Sequence, residues 1–206
     1  MTSGKIVNGS EPHQDAHPDF SKIALFACDV DGVMTDGGLY FDDAGHHFRR
    51  FDIKDGMGVI RLRKAGLHVA IISGASSEAM RARAESLGIT EIHLGIADKG
   101  ACLGELAERY DLPLEQVLYM GDDVIDLPAL RIAGVACAPR DAINEVRECA
   151  NYVTSAPGGR GAVREVCELI LEARSPNAVI TQEPRANRCS RPTGPRCDCA
   201  QTKGSR

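Results

Sequence analysis

No apolar run in this 206-residue sequence approaches the ~20 residues that a membrane-spanning helix needs. That excludes a helical membrane protein. Residues 1–20 lack the apolar core of a secretory signal, so the sequence predicts a soluble, cytoplasmic chain. A zinc-type ligand pattern is also missing. Cys28, Cys102, Cys137, Cys149 and Cys167 stand singly in apolar segments, and Cys189 with Cys197-x-Cys199 has no His nearby. Reduced thiols are the expectation. Positive charge is scarce in the body of the chain. From Arg174 onward seven basic residues face two acidic ones, so the overall −5 leaves −10 on residues 1–173. Such a body argues against nucleic acid as a partner.

What is present is globular composition, with 43% hydrophobic and 26% charged residues. Residues 1–20 are polar and aperiodic and predict a mobile arm. Residues 174–206 run to Pro, Arg, Thr and Gly and predict a disordered basic tail. The folded unit is then 21–173. Within it apolar strand-like runs (23–28, 67–72, 91–94, 117–120, 135–138, 152–154) alternate with helical stretches (57–65, 76–87, 101–110, 127–132, 142–150, 161–173). This predicts an α/β fold, a Rossmann-like parallel sheet flanked by helices. Gly38–Phe51 breaks the alternation with Gly-Gly, Asp-Asp and Ala-Gly turn signals, and reads as a β-hairpin flap.

Ligands of such sheets bind beyond the carboxyl ends of the strands. Here those ends are acidic. The first strand leads into Asp29-Val-Asp31-Gly-Val-Met-Thr35, the second into Ser73-Gly74, and the fourth into Gly121-Asp122-Asp123-Val-Ile-Asp126; Asp98-Lys99 follows the third. Carboxylates crowded this way repel one another unless a cation sits among them. Oxygen donors without His or Cys select a hard ion, Mg²⁺. A carboxylate beside such a cation can attack phosphorus, and a second, two residues on, can protonate the leaving group. Blander readings stand beside these. Asp126 before Leu127-Pro128 also fits a helix N-cap, Ser73 a turn, and Lys99 an exposed surface lysine. His93 and the His46-His47 pair have no ligand-like spacing.

These motifs, in this order, resemble the haloacid dehalogenase-like phosphohydrolases. The resemblance implies that Asp29 is the nucleophile and Asp31 the general acid/base. It implies Asp29, the Asp31 carbonyl and Asp122 as Mg²⁺ ligands, with Asp123 or Asp126 in support, and Ser73 and Lys99 as phosphate-binding residues. Only 38 positions separate Thr35 from Ser73 and 26 separate Ser73 from Lys99, which leaves no room for a cap domain. A capless site is open to water, so it accepts a macromolecule or borrows a lid.

Phe51-Asp-Ile-Lys54-Asp-Gly-Met-Gly58 and Gly158-Gly-Arg160-Gly-Ala-Val-Arg164-Glu165 are similar to the small tetrameric phosphatases of sugar-acid and lipopolysaccharide biosynthesis. These act on 3-deoxy-D-manno-octulosonate 8-phosphate or on nine-carbon nonulosonate 9-phosphates. The resemblance implies a homotetramer whose flaps cover neighbouring sites, and makes Lys54, Arg160 and Arg164 candidates for the substrate carboxylate. Arg164 pairing along its own helix is the other reading. Ala75 departs from the Arg that many octulosonate enzymes carry there. A phosphatase of protein or nucleic-acid ends and a catalytically inactive regulatory module are the remaining alternatives. The acidic body counts against the first, and the intact motif-one carboxylates against the second.

Overall fold

Strand burial sets the architecture. In the computed structural model, which describes residues 18–175, β1 (Leu25–Cys28) sends Phe26 and Cys28 into one core and Leu25 and Ala27 into another. Successive side chains of a strand point to opposite faces, so a strand buried throughout needs a layer of helices on each side. The same split recurs in β4 (His68–Ser73), β6 (Val117–Met120) and β7 (Val135–Ala138). With β5 (Glu91–Leu94) and β8 (Tyr152–Val153) they form one parallel sheet in the order β5-β4-β1-β6-β7-β8. Helices α1 (Ile53–Lys64), α2 (Glu78–Ser86) and α6 (Ala162–Arg174) cover one face, and α3 (Lys99–Arg109), α4 (Leu127–Ile132) and α5 (Asn144–Cys149) the other. Each fully buried aliphatic side chain contributes about 1.5–3 kcal/mol.

Strands β2 (Tyr40–Phe41) and β3 (His47–Phe48) make the flap, an antiparallel hairpin with Tyr40 opposite Phe48. Asp42 closes its turn by accepting from the backbone N–H of Ala44 and His46. The base is rooted by a bridge between Thr35 and Phe51, by Tyr40 Oη on Asp36 (2.9 Å), and by Arg50 on the Gly159 carbonyl (2.7 Å). Among the described residues no further domain interrupts the chain, in agreement with the capless reading.

Some boundaries differ from the sequence reading. Helix α1 begins four residues earlier than its periodicity suggests, because Asp52 caps it by accepting from Lys54 N (2.7 Å) while Gly56 and Gly58 weaken the pattern of its first turns. Gly58 lets α1 approach α6; a Cβ there would sit 3.1 Å from Cys167. Helix α3 begins at Lys99, capped by Asp98. At the ends, Phe20 is buried and packs edge-on against Tyr152, and Arg174 closes α6, so the ordered fold reaches beyond 21–173. The remainder of the expected arm and tail, residues 1–17 and 176–206, lies outside the described residues.

Candidate active site

The site starts where β1 ends. Asp29 donates its backbone N–H to Met120 O across the β1–β6 pair, and its carboxylate is buried at the sheet's carboxyl edge. Lys99, the first residue of α3, is fully buried between two carboxylates, 2.9 Å from Asp29 Oδ2 and 2.7 Å from Asp126 Oδ1. An exposed surface lysine is therefore the wrong reading. Burial opposes the ammonium charge, but the two carboxylates outweigh it and hold the Lys99 pKa above its ordinary value.

Asp126 is not simply a helix cap. Its Oδ2 accepts from the backbone N–H of Asp122 (2.9 Å) and Asp123 (3.2 Å), and its Oδ1 accepts from Lys99 Nζ and Tyr119 Oη (2.7 Å). The carboxylate thus fixes the Gly121–Asp123 turn and the lysine together. Asp123 is exposed and accepts from Val124 N (2.7 Å).

Asp29, Asp122 and Asp126 offer oxygens that all lie within 4.8 Å of one another. Asp122 is held tightly against the first loop. Gly32 has φ +78°, and a Cβ there would fall 2.0 Å from Asp122 Oδ2, so only glycine fits. Asp122 Oδ1 is buried without a hydrogen-bond partner. Burial and the charges of Asp126 and Asp29 push the Asp122 pKa up to about 8. Burial and Asp126 raise Asp29 to about 6 against the pull of Lys99. A buried, unpartnered carboxylate oxygen among other carboxylates is the environment a hard divalent cation satisfies, so these residues fit Mg²⁺.

A pH dependence follows. A bound cation displaces the proton that Asp122 holds at neutral pH, so apparent Mg²⁺ affinity should rise by up to about tenfold per unit between pH 6 and 8, then level off. The metal-free protein runs the other way. A carboxyl whose pKa is raised on folding stabilises the fold when protonated, so that stability is lost as pH climbs from near 4 through about 8. Titration calorimetry with magnesium in buffers of different ionisation enthalpy checks the released proton; a pH-independent affinity would contradict it.

The other expected residues occupy distinct places around this cluster. The Asp31 carboxylate stands apart from the metal-type group and pairs with Arg49 of the flap. Ser73 is buried at the end of β4, where Oγ accepts from Ala75 N (3.2 Å); the turn contact is real, and the hydroxyl proton stays free to donate. Gly158-Gly159 packs on the first loop so closely that a Cβ at Gly158 would fall 1.8 Å from Gly32 O, which brings Arg160 beside that loop, 3.6 Å from Asp36. Lys54 is exposed in the first turn of α1. Arg164 pairs along its helix with Glu168 (2.7 Å), while its N–H donates to the buried Asp55 (2.8 Å). That is the helix-pairing reading of Arg164.

Two participants escape sequence reasoning. Tyr119 carries a hydroxyl in an otherwise apolar strand, a mismatch that signals a buried partner. Arg49 has no comparable signal, because only the fold carries the flap back over Asp31.

Known proteins share this fold. The haloacid dehalogenase-like hydrolase family matches residues 85–164. The 3-deoxy-D-manno-octulosonate 8-phosphate phosphatase of Yersinia pestis is 43% identical over 154 residues, covering 75% of this chain and 82% of that protein. This chain belongs to the haloacid dehalogenase-like hydrolases. The corresponding phosphatase of Haemophilus influenzae is 38% identical over 158 residues, covering 77% of this chain and 88% of its own. Among solved structures, the phosphatase from Moraxella catarrhalis in complex with magnesium, phosphate and KDO matches with a TM-score of 0.74 and 39% identity, over 77% of this chain and 91% of that one. The relatives mark the chain as a phosphoric monoester hydrolase, and Asp29, Asp122 and Asp126 form an acidic cluster that could hold its metal ion.

Proposed function

We propose that the protein is the Mg²⁺-dependent phosphatase that releases inorganic phosphate from 3-deoxy-D-manno-octulosonate 8-phosphate. The observations that carry this are the 43% identity to the Yersinia pestis enzyme over 154 residues and the cluster formed by Asp29, Asp122 and Asp126. Asp29, the Asp31 carbonyl and Asp122 would hold the cation, with Asp126 and Asp123 behind them. When bound, Mg²⁺ offsets the repulsion between a carboxylate nucleophile and the phosphate oxygens.

The chain's own residues then divide the work. An oxygen of Asp29 attacks phosphorus as the bond to the sugar oxygen breaks, and Asp31 gives that oxygen its proton. Water next attacks the aspartyl-phosphate, Asp31 takes the water's proton, and the bond from Asp29 to phosphorus breaks to release phosphate. Lys99 and the Ser73 hydroxyl hold the phosphoryl oxygens. Lys54 and Arg160 face the substrate carboxylate; Arg164 joins them on exchanging Glu168 for substrate.

The lid comes from a second copy in a homotetramer. Leu39, Tyr40, Phe41 and Phe48 of the flap are exposed, as are Ile53 and Met57 at the start of α1 and Val124 and Ile125 on the rim of the site. Exposed apolar side chains on the flap, the start of α1 and the loop after β6 are of the kind that a partner covers. Small, diffusible substrate and a cytoplasmic location complete the reading.

Ala75 favours keeping nine-carbon nonulosonate 9-phosphates as a second reading. A substrate panel decides. The eight-carbon sugar-acid phosphate should exceed hexose phosphates and phosphopeptides in kcat/KM by about 100-fold or more, with the active species sedimenting as a tetramer. A nine-carbon preference would select the second reading, and preference for phosphopeptides by a monomer would overturn both.

A further inference from the structure

The flap is exposed from Leu39 to Phe48, yet the next side chain turns inward. Arg49 is only 7% exposed, and its guanidinium grips Asp31 through both oxygens, Nε to Oδ1 at 2.6 Å and Nη2 to Oδ2 at 3.2 Å. Its third nitrogen lies 3.5 Å from Ser77 Oγ, the N-cap of α2. One planar group therefore ties the flap, the motif-one loop and the segment after Ser73 together. A fork of this kind fixes the direction of a carboxylate as well as its distance.

Asp31 needs such a restraint. Its neighbour Gly32 is held at φ +78°, so the backbone is set, but the side chain is 35% exposed and could rotate. Asp29, Asp122 and Asp126 already form a cluster that does not include the Asp31 carboxylate. With Arg49 in place the Asp31 carboxylate is turned to the flap, outside that cluster and partly exposed.

We propose that Arg49 is a positioning residue that aims Asp31 at the departing substrate oxygen, so that the flap takes part in catalysis of its own subunit's site. The inference rests on Asp31 acting as the acid/base proposed above.

The test uses leaving groups. For kcat/KM only steps through the first irreversible one count, here the transfer of phosphorus to Asp29 with loss of the alcohol. An alkyl phosphate needs its leaving oxygen protonated, whereas 4-nitrophenyl phosphate leaves as a stable phenolate. Arg49→Ala should therefore lower kcat/KM for the sugar-acid phosphate by about 10- to 100-fold, and for 4-nitrophenyl phosphate by less than about threefold. Arg49→Lys, which keeps the charge but not the fork, should fall between. Millimolar guanidinium should restore part of the Arg49→Ala loss on the alkyl substrate.

Equal losses on both substrates, or no loss, would overturn the assignment. Asp31→Asn run on the same pair separates the two failures. If Asp31→Asn shows the leaving-group contrast and the Arg49 variants do not, only the positioning role fails; if Asp31→Asn shows none, the acid/base reading fails with it. Should Arg49→Ala not fold, the Arg49→Lys contrast alone decides: a larger loss on the alkyl substrate supports the role and an equal one removes it.

Discussion

Asp29→Asn should abolish turnover, with kcat reduced at least about 10⁴-fold, while Mg²⁺ binding weakens only partly. The amide nearly matches the carboxylate in shape, so the end of β1 keeps its backbone contact to Met120. What it lacks is a nucleophilic oxygen. It also presents either an amide donor or a neutral oxygen to Lys99 Nζ, where the wild-type carboxylate lies 2.9 Å away. The metal-type cluster loses one of its charges but keeps Asp122 and Asp126. Because Asp29 helps to raise the Asp122 pKa, its neutralisation makes Asp122 easier to ionise and recovers part of the lost affinity. Calorimetry with magnesium and a trapping assay for the aspartyl-phosphate read the two halves separately. Retained turnover would remove Asp29 from the nucleophile's role. Complete loss of magnesium binding would mean that Asp29 dominates the cation's coordination.

Lys99→Met gives the second large effect, on stability as well as activity. The ammonium is fully buried and is the counter-ion of two buried carboxylates. Methionine matches the stem but leaves Asp29 and Asp126 facing each other without compensation. Removing one partner of a buried ionic group costs about 3–5 kcal/mol. For a domain of this size that lowers the melting temperature by roughly 10 °C or more. The sign of the pH dependence is diagnostic. Unpaired buried carboxyls have raised pKa values, so the variant's deficit should shrink at pH 5, where they hold protons, and grow towards pH 8. Magnesium should recover part of the loss by returning positive charge to the same cluster. An unchanged melting temperature across that range would show that Lys99 is not their counter-ion.

How far the sequence carried these conclusions differs by residue. The acids at the ends of β1 and β6 were legible because carboxylates set directly after a buried apolar run need a partner to offset the loss of water. Asp126 was ambiguous. A lone Asp before Leu-Pro fits a cap, and only the fold shows its two oxygens divided between the Asp122–Asp123 amides and the pair Lys99 and Tyr119. The start of α1 was obscured by Gly56 and Gly58, which serve close contacts with Arg83 and Cys167 rather than helix propensity. Arg164 offered two readings of equal standing, and the structure shows its side chain paired one turn along with Glu168.

By itself, then, the sequence determined the layered α/β order, the acidic loops and the lack of room for a cap, since strand periodicity and motif spacing are local properties that tertiary contacts only reinforce. The tertiary structure alone decided which charges meet. Lys99 lies 70 residues from Asp29 and 27 from Asp126, and Arg49 reaches Asp31 only because a hairpin rooted at Thr35 and Phe51 folds back over the loop. Electrostatic pairing depends on distance in space and on exclusion of water, and neither is encoded at any single position along the chain.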